Sequence, residues 1–249
     1  MWSSIIGSGF GGGQIRQSCY RFGPVLANIS PAIPFTALKA VAFDLDDTLF
    51  DRRPALELWL DRWLGPAAAA AALAEVLARD GGGQAPRREF HAWLDRRFPA
   101  LAPSGRRFRR DFPGCIVPDP ALPALLSRLR AAGIRLAVLS DGSPAMQAAK
   151  LRACGAAPFF VRHEVLVSGA LGFAKPDPRA FAALLETLGL PAAEVLFVGD
   201  DPRRDIAGAR AAGLWTCRLR RPGRVAGGDE ADLVLDSLAD FPKLPGGAA

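Results

Sequence analysis

The sequence predicts an α/β fold, a doubly wound parallel sheet interrupted by a helical insertion. Three observations carry this. Short apolar runs alternate with amphipathic helical patterns from residue 120 onward, which argues for parallel strands covered on both faces. The runs end in acids, Ser or Gly, as strands do where they hand over to loops. Between the first run, Leu38 to Phe43, and the next, Ile134 to Leu139, lies a long stretch of purely helical patterning. At 249 residues the chain suffices for one such domain with an insertion.

In order, Leu38 to Phe43 is the first strand, and Val41 to Leu49 delivers Asp44, Asp46 and Asp47 to its end. Helices follow at Pro54 to Leu64, Ala67 to Arg79 and Arg88 to Phe98. In the first of these Leu56, Trp59, Leu60 and Trp63 recur at helical spacing. Ala67 to Ala72 is a run of the best helix former, and Gly65-Pro66 and Asp80-Gly81-Gly82-Gly83 punctuate the helices. Next come helix Pro120 to Ala132, strand Ile134 to Leu139, helix Pro144 to Cys154, a short strand near Glu164 to Val167 and helix Pro178 to Leu188. Strand Val195 to Val198, helix Pro202 to Ala212 and strands Leu214 to Leu219 and Leu233 to Leu235 complete the series. Asp119-Pro120, Ser143-Pro144, Asp177-Pro178 and Asp201-Pro202 each read as an N-cap followed by a favoured first-turn proline. Gly133, Gly155, Gly189 and Gly213 sit where helices stop.

Composition excludes several classes. Hydrophobic residues at 50% and charged residues at 22% fit a globular protein. No apolar run reaches the ~20 residues a membrane helix needs, so no transmembrane span is expected. Cys19, Cys115, Cys154 and Cys217 show no metal spacing and read as reduced thiols of a cytoplasmic protein. The net charge of +6 comes from Arg spread through an Ala, Gly and Pro-rich chain, without the features of nucleic-acid binders. Residues 1–37, with Gly11-Gly12-Gly13 and no acid before Asp44, read as a flexible extension, an over-long start or an organelle transit peptide.

Chemistry concentrates at the strand ends. Asp44 and Asp46, two apart on an extended backbone, share one side and Asp47 points elsewhere. Such a pair can divide nucleophilic attack on phosphorus from proton transfer. Ser140-Asp141-Gly142 ends the second long strand with a hydroxyl and backbone donors, a phosphate cradle. Lys175 precedes a helix, and Gly199-Asp200-Asp201 closes another strand. Ligands of parallel sheets bind beyond the carboxyl ends of the strands, so these residues converge on one crevice.

These four motifs, in order over roughly residues 38 to 240, resemble the haloacid dehalogenase (HAD) superfamily of hydrolases. The resemblance implies a Rossmann-like core at 38–50 and 115–241, a small helical cap of the subfamily I type at 51–114, and a tail at 242–249. It also implies a Mg²⁺-dependent phosphatase acting on a small phosphorylated metabolite. Asp44 is then the nucleophile and Asp46 the general acid and base. Asp44, Asp200 and the backbone carbonyl of Asp46 hold Mg²⁺, Ser140, Asp141 and Gly142 bind phosphate, and Lys175 neutralises charge beside it. Asp201 reads equally as a helix cap or as support for the metal ligands, and Asp205, four residues on, as such support. A phosphomutase or a non-catalytic binding protein of the same fold are the alternatives.

His91 and His163 read as structural or exposed. Arg106-Arg107 and Arg109-Arg110, where the insertion returns to the core, could meet an anionic substrate or form a solvated charge run. Residues 51–114 hold 12 Arg against 8 acids. No residue of the insertion names the substrate.

Overall fold

The computed structural model describes residues 33–221 and 231–243. Six parallel strands form one sheet: β1 (Ala40–Phe43), β2 (Arg135–Ser140), β3 (Val165–Val167), β4 (Val195–Gly199), β5 (Trp215–Leu219) and β6 (Leu233–Leu235), in the order β3-β2-β1-β4-β5-β6. The strand order reverses between β1 and β4, where Phe43 pairs with Val198, so a crevice opens beyond their carboxyl ends.

Each central strand is buried on both faces, which is why the runs are continuously apolar rather than alternating. Successive side chains still divide. Val41, Phe43, Leu196 and Val198 join one apolar cluster, and Ala40, Ala42, Val195 and Phe197 the other. The second face is covered by α8 (Pro178–Leu188) through Phe181, Leu184 and Leu188, and by Ala209. The first is covered by α5 (Leu122–Ala131) and α6 (Pro144–Ala153).

Between β1 and α5 stand four further helices: α1 (Arg52–Leu64), α2 (Pro66–Asp80), α3 (Arg87–Arg97) and α4 (Ser104–Asp111). Trp59, Leu60, Val76, Phe90 and Leu94 pack them into the same cluster that covers the first sheet face. Phe108 links the helices to the site, stacking on Phe112 at 4.3 Å and meeting Trp59 edge-on at 5.1 Å.

The structure departs from expectation at several points. Helix α1 begins at Arg52, because the Asp51 carboxylate caps the Arg53 amide. Helix α5 begins at Leu122, since Asp119 bonds the Ala121 amide in a preceding turn. Helix α4 is additional; with Phe108 its main apolar residue, it carries no helical period to read. The predicted helix from Pro202 is π-helical over Pro202–Ala207, with the Ile206 amide bonding the Asp201 carbonyl, and becomes α9 only at Gly208–Ala211. A further short helix, α7 (Ser168–Leu171), follows β3. Ile33 is buried and Phe35 packs against the core, so packing begins before Leu38. The rest of the expected extension, with Cys19, and residues 244–249 of the expected tail lie outside the described residues. Cys115, Cys154 and Cys217 are free and buried. No helix among the described residues is long and apolar enough to cross a membrane.

Candidate active site

The loop after β1 is folded by its own acids. The Asp44 amide continues the ladder to the Val198 carbonyl at 2.9 Å. Asp47 then takes a left-handed backbone (φ 61°), and its carboxylate accepts the Arg52 amide at 2.8 Å. Arg221 braces the loop from outside by donating to the Asp47 and Thr48 carbonyls. Asp44 and Asp46 therefore face one cavity while Asp47 turns to the start of α1. The cavity encloses about 630 Å³, a size suited to a small metabolite.

Six of the site residues that the resemblance implies line it: Asp44, Asp46, Ser140, Asp141, Gly142 and Lys175. Asp200, Asp201 and Asp205 do not. They reach the cavity through their neighbours. Lys175 Nζ donates to Asp44 Oδ1 at 2.6 Å and to Asp205 Oδ1 at 2.7 Å, and all three groups are buried. Asp205 Oδ2 accepts the Asp201 amide at 3.0 Å, while Asp201 caps the Arg203 and Arg204 amides and accepts from Gln84 of the insertion.

Burial raises the Asp44 carboxyl to about 7, Lys175 opposing and Asp205 assisting. Asp200 is pushed well above the carboxylate range, first by burial and then by Asp205, Asp44, Asp47 and Asp201. Burial alone would lower Lys175, yet Asp205 and Asp44 hold its ammonium above its usual range. Oxygens of Asp44, Asp200 and Asp205 lie within 4.8 Å of one another. Once all three are ionised, as a bound cation would favour, three carboxylates against one ammonium leave two negative charges over, and the donors are all hard oxygens. This set fits a divalent cation such as Mg²⁺.

Asp46 sits differently. Lys150 Nζ donates to both its oxygens, at 2.8 and 2.7 Å, Gln147 Nε2 donates to Oδ2 at 3.1 Å, and Arg52 stands 3.7 Å away. Burial would raise its pKa, but Lys150 and Arg52 outweigh that and hold it below the usual range. Ser140 Oγ at 2.7 Å and the Asp141 carbonyl also lie within reach of Gln147 Nε2, so three acceptors share its two N–H groups. Gln147 and Lys150 escaped the sequence reading. Their signal was a polar pair at i and i+3 on an Ala-rich helix opening just after Ser140. Arg52 was equally missed; it pairs with Asp80 at 2.8 Å and lies over Phe112.

The phosphate cradle is only partly open. The Gly142 amide, expected to face phosphate, donates to Ser168 Oγ at 2.9 Å. The Asp141 carboxylate accepts the Lys175 amide at 3.1 Å. His163 is exposed. His91 is half-buried, lines the cavity and bonds Ser104, and burial followed by Arg87 lowers it to about 4. Of the Arg cluster only Arg109 lines the cavity; Arg107 stacks over Trp63 and Arg110 pairs with Asp111.

Gly199 makes the floor possible. A Cβ there would lie 2.4 Å from Asp205 Cβ and 2.5 Å from its carboxyl carbon. Gly199→Ala must displace Asp205 from Lys175, so we expect a loss of about 1–3 kcal/mol, the usual cost of overpacking, in urea unfolding. Unchanged stability would show that Asp205 is free to shift.

The model of haloacid dehalogenase-like hydrolases matches residues 38–213, and the chain belongs to that family. It is 37% identical over 172 residues to a phosphoserine phosphatase of Thermus thermophilus, covering 68% of this chain and 61% of that protein. It is 33% identical over 222 residues to a phosphoglycolate phosphatase of Yersinia pseudotuberculosis, covering 84% of this chain and 94% of the relative. Among solved structures, a HAD phosphatase from Thermococcus onnurineus superposes with a TM-score of 0.60 at 26% identity, covering 84% of this chain and 99% of that one.

Proposed function

We propose that this protein is a phosphatase that hydrolyses a small phosphomonoester, with Mg²⁺, through an aspartyl-phosphate on Asp44. One observation supports the reading above all: Lys175 fixes one oxygen of Asp44 at 2.6 Å on a cavity wall that Asp46 shares. The phosphatase relatives agree with it. The four helices α1–α4 would serve as the cap that closes over substrate.

With Oδ1 held, Asp44 Oδ2, which among the described residues accepts only the Thr48 hydroxyl at 3.5 Å, attacks phosphorus. The ester P–O bond breaks and the leaving oxygen takes a proton from Asp46. In the second half Asp46 takes a proton from water, which attacks phosphorus, and the bond to Asp44 breaks to release phosphate. Ser140 Oγ, 2.7 Å from Gln147 Nε2, would donate its hydroxyl proton to a phosphate oxygen. Asp44, Asp200 and the Asp46 carbonyl would hold Mg²⁺, which when bound supplies positive charge to the transferring group. Asp205 holds Lys175, and Asp201 holds the turn that carries Asp205.

Asp46, ionised and gripped by Lys150, is set for its role as base. To act as acid it must leave Lys150 and gain a proton. Asp46→Asn therefore slows alkyl phosphates, whose leaving groups need that proton, by ~10²- to 10⁴-fold, and an activated aryl phosphate far less. Equal losses for both in the phosphorylation step reject Asp46 as the acid. The reading as a whole is tested by a panel of phosphate esters with and without Mg²⁺. Absence of turnover of every ester, aryl phosphate included, overturns it.

A further inference from the structure

The cavity wall contributed by the four-helix insertion is cationic. Arg52, Arg87 and Arg109 line it beside an uncharged His91, and every acid on the lining, Asp44, Asp46 and Asp141, belongs to the core. Most cations of the cavity are already matched. Lys175 holds Asp44 and Asp205, Lys150 holds Asp46, and Arg52 and Arg87 share Asp80 at 2.8 Å each. Arg204 lies 3.4 Å from both Asp141 and Asp201. Arg87 is further tied to the Ala85 and Asp80 carbonyls, so Nε and both terminal nitrogens already have a partner within the fold.

Arg109 differs. Among the described residues its side chain makes no hydrogen bond or ion pair, although it stands on α4 at the cavity and is exposed. Its helix is anchored beneath it by Phe108 and by Ser104, whose amide bonds Asp95 at 2.7 Å and whose hydroxyl bonds the His91 carbonyl. A fixed helix thus presents an uncommitted, planar, five-donor cation to the substrate space. Arg87 and Arg109 both disfavour a charge on neighbouring His91, as expected where positive potential collects. A neutral substrate tail would leave that potential unanswered.

We propose that the substrate is a phosphomonoester whose tail carries a second anionic group, a carboxylate or a second phosphate, and that Arg109 recognises it. This rests on the phosphatase reading above. In that arrangement the phosphoryl group lies at Ser140 and Lys175, and the second anion meets the guanidinium of Arg109 in a charge-assisted bond. Arg109 is a specificity residue, taking no part in bond making.

The test compares three esters of one scaffold with the full chain and Mg²⁺: 2-hydroxyethyl phosphate, 2-phosphoglycolate and ethylene glycol bisphosphate, with p-nitrophenyl phosphate as a generic substrate. The wild-type protein should favour one or both of the doubly anionic esters over the hydroxyethyl ester by roughly tenfold or more in kcat/KM, the scale of one hydrogen bond to a charged group. Whichever is favoured identifies carboxylate or phosphate as the second group. Arg109→Gln should collapse that ratio toward one, and Arg109→Lys should retain part of it. Added salt should erode it as well, since Arg109 is exposed. Equal kcat/KM for all three esters in the wild type, or a preference that survives Arg109→Gln, overturns the proposal while leaving the phosphatase reading intact. No turnover of any of the four compounds overturns both.

Discussion

Asp44→Asn should lose all measurable turnover and keep its fold. The amide preserves the shape and the acceptor that Lys175 bonds at 2.6 Å, and it cannot form an acyl phosphate. Stability has a sign that can be worked out. The folded protein holds Asp44 at about 7, above its ordinary value of 3.8, so the unfolded chain ionises it more readily. Above the ordinary value, folding therefore works against that ionisation, increasingly so until pH passes about 7. A neutral Asn removes this penalty. The metal-free variant should melt at or above the wild-type temperature near neutral pH, with the gap closing as pH falls toward 4. A lower melting temperature across the whole range would show that Asp44 stabilises the fold as a charge.

Lys175→Met should be damaged in both respects. The change removes the ammonium that Asp44 and Asp205 share and leaves two buried carboxylates facing each other. Breaking a buried pair by deleting one partner costs about 3–5 kcal/mol, since the remaining charge is uncompensated. Removing a preorganised charge from the reacting centre costs about 10²- to 10³-fold in kcat. The two effects separate in the double variant with Asp44→Asn, which relieves one of the stranded acids. Urea unfolding should show Asp44→Asn stabilising the Lys175→Met background by more than it stabilises the wild type, a coupling that distant, independent sites do not show. Additive losses would mean that the Asp44–Lys175 contact contributes little.

Most of the sheet was legible because strands buried on both faces must be continuously apolar. Asp177 and Gly189 bracket α8 where the cap and stop signals place them. The cavity lining was legible where polar groups follow strand ends, as at Asp44, Asp46 and Ser140, and at Lys175 just ahead of α8. What escaped depends on contacts between distant segments. Lys150 meets Asp46 across 104 positions and Arg52 meets Asp80 across 28, and no local pattern encodes either pairing. Asp205 was placed near the site by the resemblance, with helical spacing from Asp201 putting both on one face. Its contact with Lys175 depends on π-helical turns and on the bare Gly199 backbone, neither of which spacing reveals. Helix α4 escaped because its apolar content is too small to show a period, yet it carries Arg109 to the cavity.

The covalent step on Asp44 is the centre of the proposed chemistry, and trapping it is the most direct measurement. Wild-type protein mixed with a turned-over ester and Mg²⁺, quenched in acid within one turnover and digested, should yield the peptide containing Asp44 heavier by one phosphoryl group. The label should disappear on treatment with hydroxylamine, which cleaves acyl phosphates, and should be absent from Asp44→Asn. A wild-type burst of product with no phosphorylated peptide, or turnover retained by Asp44→Asn, would contradict the mechanism.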